Sequence, residues 1–165
     1  MGSFEESSWS REDFSRTYLD RADIYIAERR KMFGLVTSFL IHFYGRLEGL
    51  RAADLGCGDG ALAHELLRVN PMLDTTLVDA SQDMLIRADG RLGAYSKVSY
   101  VKASFADLLS GAVALDTFDI CVSSQAIHHL SSEGKNGLYK VILNHLAEGG
   151  SFLNVDVVLP PSQEL

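Results

Sequence analysis

The sequence has little cysteine, no excess of basic charge and no long apolar run, and each lack removes a class of protein. Its two cysteines, Cys57 and Cys121, stand outside any Cys-x-x-Cys or Cys/His cluster, so neither a disulfide framework nor a bound metal is expected. Fifteen lysines and arginines against 22 acidic residues leave a formal charge of -7, which opposes the broad basic face that a general grip on nucleic acid needs. The basic run "ERRKMF" at 28–33 reads as a solvated helix face. No stretch approaches the roughly 20 consecutive apolar residues that span a bilayer, and the first residues lack the layout of a secretory signal. A cytoplasmic protein with free thiols is therefore expected. Internal repeats and low-complexity segments are also absent.

What is present is enough for one domain: 165 residues, of which 47% are apolar. Two regions are expected within it, a helical cover over 1–50 and an α/β core over 51–165. Ser10 and Asp13 have capping-box spacing, which predicts a helix from near residue 11. From Met32 onward Val36, Phe39, Leu40, Phe43, Tyr44 and Leu47 recur at helical spacing, predicting one buried stripe. Short runs suited to buried strands follow: "RAADL" at 51–55, "TTLVDA" at 75–80, "VSYVKA" at 98–103, "FDICVSS" at 118–124 and "SFLNVDVVL" at 151–159. Helical patterns separate them, the last being "EGKNGLYKVILNHL", in which Leu138, Val141, Ile142 and Leu146 share a face. Strict alternation predicts a doubly wound, mainly parallel sheet with helices on both faces, binding its ligand beyond the carboxyl ends of the strands.

The loop after the first strand, "DLGCGDG", carries the discriminating chemistry. Gly56, Gly58 and Ala61 satisfy the G-x-G-x-x-G/A spacing of a dinucleotide turn, which wraps a pyrophosphate and would suit an NAD-dependent oxidoreductase. Asp79, nineteen positions after Gly60 at the end of the second strand, is placed to accept from both hydroxyls of a ribose, which NAD and S-adenosylmethionine share. Asp54 separates the two. A carboxylate there would oppose a phosphate by about 4 kcal/mol per charge pair at 4 Å and an effective dielectric of 20. It would favour the sulfonium and α-ammonium of S-adenosylmethionine.

With these residues in place, the chain resembles the class I S-adenosylmethionine-dependent methyltransferases, small-molecule type, from about Phe14 to Leu159. "DLGCGDG", "LVDASQDML", "FDICVSSQAIHHL" and "LAEGGSFLNVDVV" follow the order of that family's motifs. The resemblance implies a Rossmann-like sheet of order 3-2-1-4-5, S-adenosylmethionine as cofactor and S-adenosylhomocysteine as product. It sets the methionine end of the cofactor against Gly56, Cys57, Gly58 and Gly60, with Asp54 near the ammonium and Asp79 on the ribose. Ala80 and Met84 would meet the adenine. Ser104 and Phe105 stand where the family offers an acidic and a small residue to that ring, a departure from its pattern, and Asp107 could substitute only from a loop bent towards the site. Ser123, Ser124 and Gln125 would line the floor of the transfer site. Tyr18, Tyr25 and Arg30 match positions that cover the methionine carboxylate, and equally suit packing or a helix surface.

Where the acceptor is protonated, His128 and His129 in "AIHHL" are the candidates for a general base. "HHL" also reads as the opening of a helix, where a histidine caps or packs. The resemblance further implies two strands after the fifth, whereas the chain ends at "LPPSQEL", so the core of a longer enzyme is expected. An apolar edge at 151–159 would then invite a homodimer. The implied activity is methyl transfer to a small molecule, the alternative a non-catalytic cofactor-binding module.

Overall fold

The structure, a computed structural model, describes residues 28–157. Five strands, β1 (Arg51–Leu55), β2 (Asp74–Asp79), β3 (Val98–Lys102), β4 (Phe118–Ser124) and β5 (Leu146–Val155), form one sheet of order β3-β2-β1-β4-β5. All four pairings are parallel. Between them run α1 (Arg29–Tyr44), α2 (Ala61–Val69), α3 (Gln82–Leu92), α4 (Phe105–Ser110) and α5 (Ser132–His145). This is the doubly wound α/β architecture that the alternation of strand and helix predicts.

Strand periodicity divides the core into two layers. Ala52, Leu77, Ile120 and Val122 join Phe33, Val36 and Leu40 of α1, Leu62 and Leu66 of α2, and Leu85 and Leu92 of α3. Ala53, Leu55, Val78 and Cys121 join Leu108 of α4 with Leu138 and Ile142 of α5. Successive residues of β1 thus serve opposite faces. Asp54 shares the parity of Ala52, which directs it towards the layer holding α2. Chain order reverses at β1, between β2 and β4, and a crevice is expected beyond the carboxyl end of the strands there.

The apolar stripe of α1 is narrower than its spacing predicts. Phe33, Val36 and Leu40 are buried, whereas Phe39 is 42% exposed and Phe43 62%. One residue of offset turns a side chain by about 100° around a helix of 3.6 residues per turn, so Phe39 falls on the flank of the line through Leu40. The two phenylalanine rings instead lie against each other, centroids 4.5 Å apart. Tyr44 is half-buried and donates its hydroxyl to the Gly149 carbonyl at 2.8 Å, securing α1 to the start of β5.

The last helix and strand also differ from expectation. α5 ends at His145, and Leu146 pairs with Phe118 in the sheet rather than sharing the helical face of Leu138 and Ile142. Gly149 takes φ +76°, and the register shifts between Phe118 and Ile120, so the chain enters β5 through an irregularity before Ser151. The strand ends at Val155, short of the predicted 159. "HHL" is a 3-10 turn, Ile127–His129, and α5 begins only after the Ser131 cap. The helix expected from near residue 11 lies outside the described residues.

Candidate functional site

The turn after β1 wraps the end of β2: Gly56 and Cys57 both donate to the Val78 carbonyl, at 2.8 and 3.1 Å. Its glycines answer to different demands. Gly56 has φ +68°, and a Cβ there would overlap that of Ala126 and come within 3.3 Å of the Phe105 ring. A Cβ on Gly60 would lie 2.9 Å from Leu92, so this residue lets α2 and α3 close up. At Gly58, φ +54°, a Cβ would meet none of the described residues within 4 Å. That bare backbone borders open space, where a ligand can approach.

Three carboxylates surround the turn. Asp54 is 1% exposed, and among the described residues neither of its oxygens has a hydrogen-bond partner. Burial pushes its carboxyl up to about 7; the nearby Ala63 backbone N–H, outside hydrogen-bonding geometry, acts weakly against that shift, and the charges of Asp79 and Asp59 reinforce it. A buried carboxylate without donors is costly and suits a ligand that brings positive charge. Asp79 accepts from Gly58 N–H at 2.9 Å and Ser81 N–H at 2.8 Å. Burial raises its pKa, and donors from Ser81, Gly58 and Ala80 limit the rise.

Asp59, inside the glycine turn, was not singled out by its sequence context. Its carboxylate pairs with Arg91 of α3 and lies 3.6 Å from Arg29 of α1, while Arg91 Nε donates to the Asp59 carbonyl at 2.9 Å. The turn is therefore gripped from both neighbouring helices. Arg91→Ala is expected to weaken ligand binding at the turn about tenfold by loosening it. Because Arg91 is partly screened by solvent, unfolding free energy should change by no more than about 1 kcal/mol. Calorimetry and urea unfolding on the same preparation test the pair of expectations.

The remaining sequence-predicted residues fall into distinct places. Phe105 and Ala126 converge on Gly56, bringing α4 and the turn after β4 to the glycine loop. Ser104 instead caps α4: its hydroxyl donates to Asp107 at 2.7 Å and accepts from the Asp107 N–H at 3.2 Å. That reciprocal capping box also holds Asp107 away from the part of a substitute adenine ligand. Ala80 is half-buried and Met84 is buried in the core at the start of α3. Cys57 is a buried free thiol whose pKa burial pushes up, which makes it unreactive. Arg30 is exposed, and its neighbour Arg29 lies 3.6 Å from Asp59 of the loop. Tyr18 and Tyr25 lie outside the described residues.

Beyond β4, Ser123 is 0% exposed and donates its hydroxyl to the Leu55 carbonyl at 2.7 Å. It acts as a strut between β4 and β1 beneath the site rather than as an open floor. Ser123→Ala would strand that carbonyl, and a loss of about 1–3 kcal/mol in urea unfolding is expected. Ser124 is half-buried. Gln125, in the left-handed region at φ +54°, donates its backbone N–H to Val155 at 2.9 Å, joining the ends of β4 and β5. His128 follows, its ring Nδ1 bonded to Asp156, and its ring centroid is 3.9 Å from that of His129. Asp156, just past β5, is the second residue that sequence reasoning missed.

Among the described residues no cluster of His, Cys, Asp and Glu could hold a metal ion, and no helix is long and apolar enough to cross a membrane. Residues 53–152 match the methyltransferase domain family. A ribosomal RNA large subunit methyltransferase G from Pseudomonas paraeruginosa is 40% identical over 65 residues, 39% of this chain and 17% of that protein. An uncharacterised methyltransferase of Schizosaccharomyces pombe is 34% identical over 115 residues, 64% of this chain and 42% of that protein. An S-adenosylmethionine-dependent methyltransferase from Clostridium acetobutylicum shares the fold, with TM-score 0.65 and 24% identity over 86% of this chain and 55% of that one. This chain thus spans less than half the length of these two curated relatives.

Proposed function

The chain belongs to the methyltransferase domain family, and from that premise we propose that it is the cofactor-binding core of an S-adenosylmethionine-dependent enzyme that methylates a small molecule. One observation carries the choice of cofactor: the buried, donor-less Asp54 beneath a glycine turn whose Gly58 borders open space. Its charge suits an ammonium and opposes a pyrophosphate.

S-adenosylmethionine supplies a methyl group already activated by a positively charged sulfur. The chain's own residues then have to bind, align and exclude water. Gly56, Cys57, Gly58 and Gly60 offer bare backbone to the methionine end, with Asp54 compensating the ammonium. Asp79, its two oxygens fixed by Gly58 and Ser81 N–H groups, retains lone pairs for the ribose hydroxyls. Ala80 stands beside the adenine, and Phe105 closes over the loop. Ser124 and Gln125 border the acceptor side, at the end of β4. A small-molecule acceptor is favoured by the net charge of -7, which gives a phosphate-rich partner little to hold.

Calorimetry with S-adenosylhomocysteine and NAD tests the reading. Binding of S-adenosylhomocysteine alone is expected; binding of NAD alone would overturn it.

A further inference from the structure

Three acidic and two basic side chains surround the turn between β1 and α2, and their charges do not cancel. Asp59 is shared by both arginines: Arg91 of α3 pairs with its carboxylate and donates Nε to its carbonyl at 2.9 Å, and Arg29 of α1 lies 3.6 Å away. The Arg29 and Asp59 side chains keep only 17% and 12% of their surface accessible, so solvent screens this pair little. Arg29 is also seated over the Phe33 ring, 5.1 Å from its centroid. Asp79 takes its donors from the backbone of Gly58 and Ser81 instead of from a cation. Asp54 is buried without a hydrogen-bond partner among the described residues. Once Asp54 ionises, three carboxylates face two guanidinium groups, and the turn is one positive charge short.

The other groups set against Asp54 do not fill that deficit. Cys57 of the turn and Cys121 of β4 are thiols that burial keeps protonated, and α2 offers the Ala63 backbone. Tyr100 of β3 stays neutral, its hydroxyl pushed up to about 12 by burial and then by Asp89 of α3.

Resting on the methyltransferase reading above, we infer that the Arg29–Asp59–Arg91 cluster makes the site specific for the charge on the cofactor's sulfur, holding the sulfonium of S-adenosylmethionine in preference to the neutral thioether of S-adenosylhomocysteine. Both ligands bring the same ammonium and carboxylate, and they differ by one positive charge. The sulfonium form brings the turn to neutrality, whereas the thioether leaves it negative. Spent product is thereby exchanged readily for fresh cofactor. Asp59 and its arginines set the size of the deficit: losing the charge of Asp59 closes it, and losing that of an arginine widens it. Protonation of Asp54, whose carboxyl lies at about 7 in the ligand-free chain, also closes it.

The test is the ratio of two dissociation constants, S-adenosylhomocysteine over S-adenosylmethionine, measured by calorimetry on the full chain without an acceptor. In wild type a ratio of about ten is expected at about pH 8, the scale of one screened charge, falling towards one at about pH 5.5. Asp59→Asn should bring the alkaline ratio close to one, and Arg91→Met should raise it further, although both variants loosen the turn and weaken both ligands. A purely structural cluster would move the two affinities together and leave the ratio alone. A wild-type ratio at or below one at about pH 8, or one that does not change with pH, overturns the inference whether or not the variants fold. So do folded variants that keep the wild-type ratio. Binding of neither ligand at any pH sinks the methyltransferase reading itself, an outcome distinct from two ligands bound alike.

Discussion

Asp54→Asn is expected to make the ligand-free protein less sensitive to alkaline pH and, at the same time, a weaker binder of S-adenosylhomocysteine. The Asp54 carboxyl lies at about 7 in the folded chain, against 3.8 for an ordinary aspartate. Between those values the native state holds a proton that the unfolded chain has lost, so the contribution of Asp54 to stability is fully present below about pH 4 and is lost as pH rises through about 7. A shift of that size corresponds to about 4 kcal/mol, as an order of magnitude. Asp79, also raised by burial, acts in the same direction and remains in the variant. An asparagine in the same place is still short of partners, at a cost of about 1–3 kcal/mol that does not depend on pH. The diagnostic quantity is therefore the change in urea midpoint between about pH 5 and pH 8, larger in wild type than in the variant.

Ligand binding should respond in the opposite sense. On the proposed reading ionised Asp54 compensates the ligand's ammonium, so wild-type affinity for S-adenosylhomocysteine should rise as the carboxyl loses its proton, from about pH 6 to pH 8. The asparagine variant should lack most of that rise and bind about tenfold or more weakly at the upper end. Calorimetry across the range measures both. If variant and wild type show the same pH dependence in unfolding and in binding, Asp54 is neither the strained group nor the cation's partner.

What the sequence made legible was local. "DLGCGDG" follows an apolar run and precedes a helical one, so the placement of Asp54 and the glycines at the carboxyl end of β1 could be read from neighbours alone. Asp79 was equally accessible, because a strand end has a period and a boundary. The charge pairs were not. Asp59 finds Arg91 across 32 positions and His128 finds Asp156 across 28, and no spacing rule links residues brought together only by a crossover. Ser123 shows a third limit: strand parity predicts that it points inward, but not that its hydroxyl meets the Leu55 carbonyl. Phe39 and Phe43 have helical spacing, yet which side of α1 meets the sheet was decided by the Phe33, Val36 and Leu40 line.

Gly56→Ala is expected to cost more than any other single methyl group added to the loop. An alanine held near φ +68° carries about 1–2 kcal/mol of left-handed strain. Its methyl would overlap the Cβ of Ala126 and crowd the Phe105 ring, and such overpacking adds about 1–3 kcal/mol. A loss near 3 kcal/mol in urea unfolding follows, with binding of S-adenosylhomocysteine falling in step as the loop shifts. Combining it with Ala126→Gly removes the overlapping atom but not the backbone strain, so the two changes should be coupled, the pair losing about 1–2 kcal/mol less than the sum of the singles. The same cycle reports on the His128 turn, because Ala126 is its contact with the glycine loop. Strictly additive losses would mean that Ala126 yields without cost, and that the turn carrying the histidine is not held against the glycines at all.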